Sequence, residues 1–138
     1  MKVGLAAVAM ILLACATIWL WGPSILKDYQ LSGQSLQPTT AFAVTDARCK
    51  TKVFFLSSCD VTLEPSAGGA KQEFDYFLLG RLGGESVYPM VDPATNAVTT
   101  NIGVEYITNR ILMLLLLSGF LFVLGIGALA KVVSGARA

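Results

Sequence analysis

The sequence predicts an integral membrane α+β protein, with two transmembrane helices flanking a small antiparallel β domain on the extracytoplasmic side. Three observations predict it. Val3 to Trp21 (VGLAAVAMILLACATIWLW) and Ile111 to Ala130 (ILMLLLLSGFLFVLGIGALA) carry no charged residue. The segment between them alternates short runs of β-forming residues with turn residues. That segment also holds two cysteines, Cys49 and Cys59. The chain of 138 residues is 54% hydrophobic and 14% charged, with a mean hydropathy of +0.65, too apolar for an ordinary soluble domain.

Each apolar run is long enough to cross a hydrocarbon core of ~30 Å as a helix rising ~1.5 Å per residue. Lipid offers the backbone no hydrogen-bond partner, so each run must be a continuous helix. The first span is read as residues 3–22, with Trp19 and Trp21 at the headgroup level and Pro23 ending the helix. A cleaved leader is the alternative, since Lys2 precedes the run and Ala14-Cys15-Ala16 resembles a small-residue cleavage site. Apolar sequence continuing to Trp21 favours an anchor. The last helix is expected over residues 103–134, with its span at about 111–130. Thr100 or Asn101 is the expected N-cap, Glu105 is placed in the first turn, and Arg110 is expected to snorkel to the headgroups.

Lys2, Lys131 and Arg137 flank the spans on one side, and Lys27 and Arg110 on the other. This bias places both termini in the cytoplasm and residues 24–109 on the extracytoplasmic side, with the β domain at 24–102. All nine carboxylates fall between the spans, and the formal net charge of +1 gives no footprint for nucleic acid.

Within the central segment, residues 27–37 read as a polar connector. Strands are expected at 39–48, 60–64, 72–79, 85–91 and, short, 97–102. Val61 and Leu63 should share one face, as should Phe74, Tyr76 and Leu78. Pro89 demotes its strand toward an edge. Turns are expected at 65–69, 80–84 and 92–96. A domain of this size buries too little apolar area to stand without a staple.

In an oxidising compartment the default state of Cys49 and Cys59 is a disulfide, predicted at the base of a hairpin closing residues 50–58. A loop of that length contributes about 2.5–3 kcal/mol on the chain-entropy model. A redox dithiol is the competing reading, supported by Arg48, Lys50 and Lys52 nearby but not by the spacing. The absence of histidine, with two extracytoplasmic cysteines, leaves no metal site and no histidine-activated serine. No cofactor is expected. Cys15 reads as a small apolar residue within the first span.

Lys50, Lys52, Val53, Phe54, Phe55 and Leu56 form the tip of the predicted loop. Phe54 and Leu56 either cap the small core or join the others in touching the bilayer or a partner. GRLGGES (80–86) lacks the Lys-Ser/Thr ending of a phosphate loop and reads as a glycine-rich turn. Gly4, Ala7 and Ala14 in the first span, and Ser118, Gly119, Gly125 and Gly127 in the second, are candidate helix-packing residues.

The stretch YPMVDPATNAVTTNIGVEYITNR (88–110) resembles uncharacterised bacterial two-span membrane proteins in which a short strand ends in a Tyr/Val-Asp-Pro turn before the second span. The resemblance implies a small β domain on the outer face of a bacterial cytoplasmic membrane and carries no activity. The function expected is that of a non-enzymatic accessory subunit or assembly factor of a larger membrane complex. Its partners would be other integral membrane proteins and the lipid bilayer. The alternatives are a thiol-disulfide protein using Cys49 and Cys59, and an envelope sensor whose β domain binds a ligand.

Overall fold

The computed structural model describes residues 2–52, 55–82, 84 and 86–135, the side chain of Lys2 apart. The element order is α1 (Lys2–Ser32), β1 (Gln37–Pro38), β2 (Phe42–Lys52), β3 (Leu56–Pro65), β4 (Gln72–Leu79), β5 (Pro89–Val91), β6 (Val98–Thr100), α2 (Asn101–Glu105) and α3 (Ile107–Gly135). The chain divides into a helical unit, Met1–Ser24 with Leu112–Ala138, and a β unit, Ile25–Ile111.

In the helical unit, α1 and α3 are both long and apolar enough to cross a membrane. They pack through small residues. Ala7 and Ala14 are fully buried, and Ser118, Gly125 and Met113 are buried on the facing helix. A Cβ at Gly125 would stand 2.7 Å from Ile11 Cγ1 and 3.2 Å from the Ala7 carbonyl oxygen, so the backbones approach as they do because that position has no side chain. The Ser118 hydroxyl donates to the Leu114 carbonyl at 2.6 Å, which satisfies it inside its own helix. Four of the seven expected packing residues thus line the contact. A Cβ built at Gly4, Gly119 or Gly127 would meet no atom within 4 Å beyond its own stretch of helix, so these three positions do not need glycine for space. Cys15 is exposed on α1 rather than buried.

Pro23 does not end α1, which continues to Ser32. Proline removes one intrahelical hydrogen bond, but Ile25, Asp28 and Leu31 recur every third position and all three are buried in the β unit. Their packing replaces the expected connector with helix.

The β unit contains two antiparallel three-stranded sheets, ordered β2-β3-β4 and β1-β5-β6. Alternation along β3 and β4 builds the core: Cys59, Val61, Leu63, Tyr76 and Leu78 point inward and meet Val98 and Ile102. Phe42, Val44 and Phe74 pack against this cluster from its margin. The β2–β3 hairpin extends further toward its turn than expected, because the Cys49↔Cys59 pair continues through Lys50↔Ser58, Thr51↔Ser57 and Lys52↔Leu56. Cys49 and Cys59 are disulfide-bonded, as a cross-strand staple nearer the tip than the base.

Pro89 begins β5, which is the central strand of its sheet, not an edge. A proline at the first strand position removes no interior ladder bond, and its carbonyl still accepts from the Thr39 N–H at 3.1 Å. Asp92 builds the expected turn, taking the Ala94 N–H at 3.1 Å and the Thr95 hydroxyl at 2.5 Å, with Asn96 at φ 56°. These donors hold the Asp92 carboxyl below the usual carboxylate range. The glycine-rich turn after β4 needs glycine at Gly80, whose φ is 111°. Gly83 and Glu85 of that segment lie outside the described residues. The expected single helix from residue 103 is two: Thr100 caps α2, and the backbone leaves the helical course at Tyr106 (φ −99°, ψ 17°). Glu105 closes α2 instead of opening it.

Candidate functional site

Two features of the β unit hold its chemistry-bearing residues. The first is a buried ionic network drawn from distant parts of the sequence. Asp28, on the C-terminal part of α1, pairs with Arg110 Nη1 through Oδ2 at 2.5 Å. Both side chains are 3% exposed. Its Oδ1 accepts from the Thr99 hydroxyl at 2.7 Å. Arg110 Nη1 also donates to the Gly103 carbonyl at 3.0 Å, and the guanidinium lies 4.7 Å over the Tyr76 ring. The Thr100 hydroxyl donates to Tyr76 Oη at 2.9 Å while receiving the Gly103 N–H at 3.3 Å as the α2 cap.

Gly103 is required here for space. A Cβ would stand 2.9 Å from Thr99 Oγ1, 3.1 Å from Asp28 Oδ2 and 3.1 Å from Tyr76 Cε1. Burial pushes the Tyr76 phenol up to about 12, with the Thr100 hydrogen bond opposing. Among the described residues, no buried side-chain polar atom lacks a partner. That is the condition under which a buried ion pair is tolerated, and removing one partner from such a pair typically costs about 3–5 kcal/mol. Chemically the network is closed: each carboxylate oxygen is occupied by a donor within the unit, so its work is to tie α1, β4, β6 and α3 to one another.

The expectation that Arg110 snorkels is therefore corrected. A partner carboxylate at Asp28 is available inside the protein, and the guanidinium takes it together with the Tyr76 face. Its neighbour Asn109 faces β4 and brackets Leu79, accepting its N–H and donating to its carbonyl, both at 2.6 Å. Asn101 does the same for the chain entering β5, through the Tyr88 N–H at 3.0 Å and the Ser86 carbonyl at 3.1 Å. Sequence reasoning missed Asp28, Asn101 as a bracket, and Asn109. The available signal for Asp28 was its place in the Ile25–Asp28–Leu31 spacing.

The second feature is the stapled hairpin. Cys59 is fully buried beside Tyr76, whereas Cys49 is exposed on β2. Lys50 and Lys52 are exposed, Phe55 is 57% exposed, and Leu56 is half-buried at the start of β3. Val53 and Phe54, expected at the same tip, lie outside the described residues. The structure thus brings Cys49 and Cys59 together and sets Lys50, Lys52 and Phe55 on an exposed end. Among the described residues, no three His, Cys, Asp or Glu side chains are grouped to hold a metal ion. A shallow open cleft of this unit is lined by Gly84, Ser86, Tyr88, Asn101 and Glu105. There the Glu105 charge raises the Tyr88 phenol above its ordinary value, and the two side chains hydrogen-bond at 3.2 Å. No protein-family model, curated protein or solved structure matches the chain.

Proposed function

We propose that the chain is a non-enzymatic accessory subunit or assembly factor of a larger complex in a bacterial cytoplasmic membrane. In this reading α1 and α3 cross the bilayer with both termini in the cytoplasm, and the β unit stands in the periplasm. The observation that carries it is the stapled hairpin: a disulfide-linked element whose basic strand and Phe55 are turned outward. Such surfaces suit docking, while the ionic network is occupied with internal partners. The apolar outer residues of the helices, such as Leu12, Trp19, Leu115 and Phe120, support contact with lipid or partner helices.

Blue-native electrophoresis after mild detergent extraction tests the proposal. A large assembly is expected. A lone monomer or dimer would count against it.

A further inference from the structure

We propose that the outer edge of β2 receives an acidic, extended segment of a partner protein, added to the β2-β3-β4 sheet as a fourth strand. This deepens the accessory-subunit reading and rests on it.

The two edges of that sheet differ. Next to β4, Asn109 takes the N–H and carbonyl of Leu79. On β2, no strand pairs with the outer side among the described residues, and every residue from Thr45 to Lys52 is exposed. The backbone there is set to pair. Cys49 and Cys59 are directly opposite with their Cα atoms 4.0 Å apart. That is the spacing of a pair that exchanges no backbone hydrogen bonds, about 4.5 Å against about 5.5 Å for one that does. The Cys49 N–H and carbonyl therefore point away from β3. Ala47 and Thr51, at the same phase of an unbroken register, do likewise. Three successive donor–acceptor residues thus line an exposed edge.

The side chains select the partner. On one face of β2 lie Asp46, Arg48, Lys50 and Lys52. Arg48 Nε meets Asp46 at 3.1 Å. Among the described residues, Lys50 and Lys52 have no carboxylate within ion-pair distance. A second copy of this strand would bring mostly positive charge against positive charge, the usual guard on an exposed edge. An acidic strand meets the same lysines favourably. On the opposite face Ala47, Cys49 and Thr51 are small and exposed, leaving room for apolar side chains of the added strand. The occupant is therefore a segment alternating acidic and apolar residues. The cross-strand disulfide fixes the register of the edge before the partner arrives, which lowers the ordering cost of strand addition.

Two dye-labelled peptides of about ten residues, alternating Val with Glu or Val with Lys, span such an edge and serve as probes. They are titrated by fluorescence anisotropy against the full chain in zwitterionic-lipid nanodiscs, with amide hydrogen exchange read in parallel. The Glu peptide is expected to bind and the Lys peptide not, with exchange slowed at Ala47, Cys49 and Thr51. Ala47→Pro removes one outward N–H at a place where an edge strand accepts proline. It should weaken Glu-peptide binding by about tenfold or more, with Tm and disulfide unchanged, as should Lys50→Glu with Lys52→Glu. Binding that ignores Ala47→Pro, or no binding at all, overturns the proposal. So does slowed exchange at this edge in anionic-lipid nanodiscs without peptide, which would make lipid the occupant. If the large assembly on blue-native gels persists in both variants, strand addition fails while the accessory reading stands. Absence of that assembly in the unaltered chain overturns the accessory reading itself.

Discussion

Two glycines, one in each unit, sit where a Cβ would stand under 3.0 Å from a neighbour, and those neighbours differ in kind. A Cβ at Gly125 in the helical unit would strike Ile11 and the Ala7 backbone, an apolar contact between helices. A Cβ at Gly103 in the β unit would strike a threonine hydroxyl, a carboxylate and a tyrosine ring. The helical unit is thus held by backbone approach and the β unit by a closed set of ionic and hydroxyl contacts. In the bilayer setting proposed above, lipid removes the hydrophobic drive between helices, and small residues supply contact area. Where a small β unit has little core, a buried ion pair and a disulfide fix its arrangement. The two units should accordingly respond to different perturbations.

The largest expected effect is on the ionic network. Arg110→Ala strands a buried carboxylate and should destabilise the β unit by about 3–5 kcal/mol, read by near-UV circular dichroism during thermal unfolding in detergent. The pair Asp28→Leu with Arg110→Met should recover most of that loss, since an apolar replacement leaves no charge stranded. Next, Cys49→Ser with Cys59→Ser should cost about 2.5–3 kcal/mol in the same assay. Reductant should lower the Tm of the unaltered chain and leave the double variant unmoved.

Alkaline titration sharpens the comparison, because the helical unit contains no tyrosine. The Tyr76 phenol is raised in the folded state, from 10.0 to about 12. Its contribution is present in full below the unfolded value and is lost as pH rises through the folded one. At most roughly 2–3 kcal/mol should disappear between about pH 10 and pH 12. Tyr76→Phe should remove that component of the alkaline loss, measured as Tm against pH beside the parent. Gly125→Val should weaken the helical pair by about 1–3 kcal/mol through overpacking, detected as earlier loss of helix contact by energy transfer during SDS titration. The disulfide should stay intact. The smallest effect belongs to Lys71→Ala. Its 3.3 Å contact with Glu64 is exposed, and loss of such a pair shifts stability by about 0–1 kcal/mol.

Local rules made much of this fold readable. Uncharged runs gave the helices. Period-two alternation gave the inward faces of β3 and β4, and turn chemistry gave the Asp92–Asn96 turn. Thr100 was readable as a cap, and the cysteines as a staple. What escaped depends on contacts far apart in sequence. Asp28 and Arg110 are 82 positions apart, so neither residue announces the other. The continuation of α1 through Pro23 needed the packing of Ile25, Asp28 and Leu31, which overrides a local breaker. Strand order put β5 in the centre of its sheet, a fact about neighbours that Pro89 cannot encode. The exposure of β2 followed from its edge position, although its basic residues had marked the hairpin as a contact.

The most direct measurement is thiol labelling of intact cells with a membrane-impermeant maleimide, in a Cys15→Ser background. Cys49, exposed on β2, is expected to resist labelling until an impermeant reductant is added, and then to label fully. Labelling that instead requires permeabilisation, and no reductant, would place free thiols in the cytosol and contradict both the proposed orientation and the disulfide.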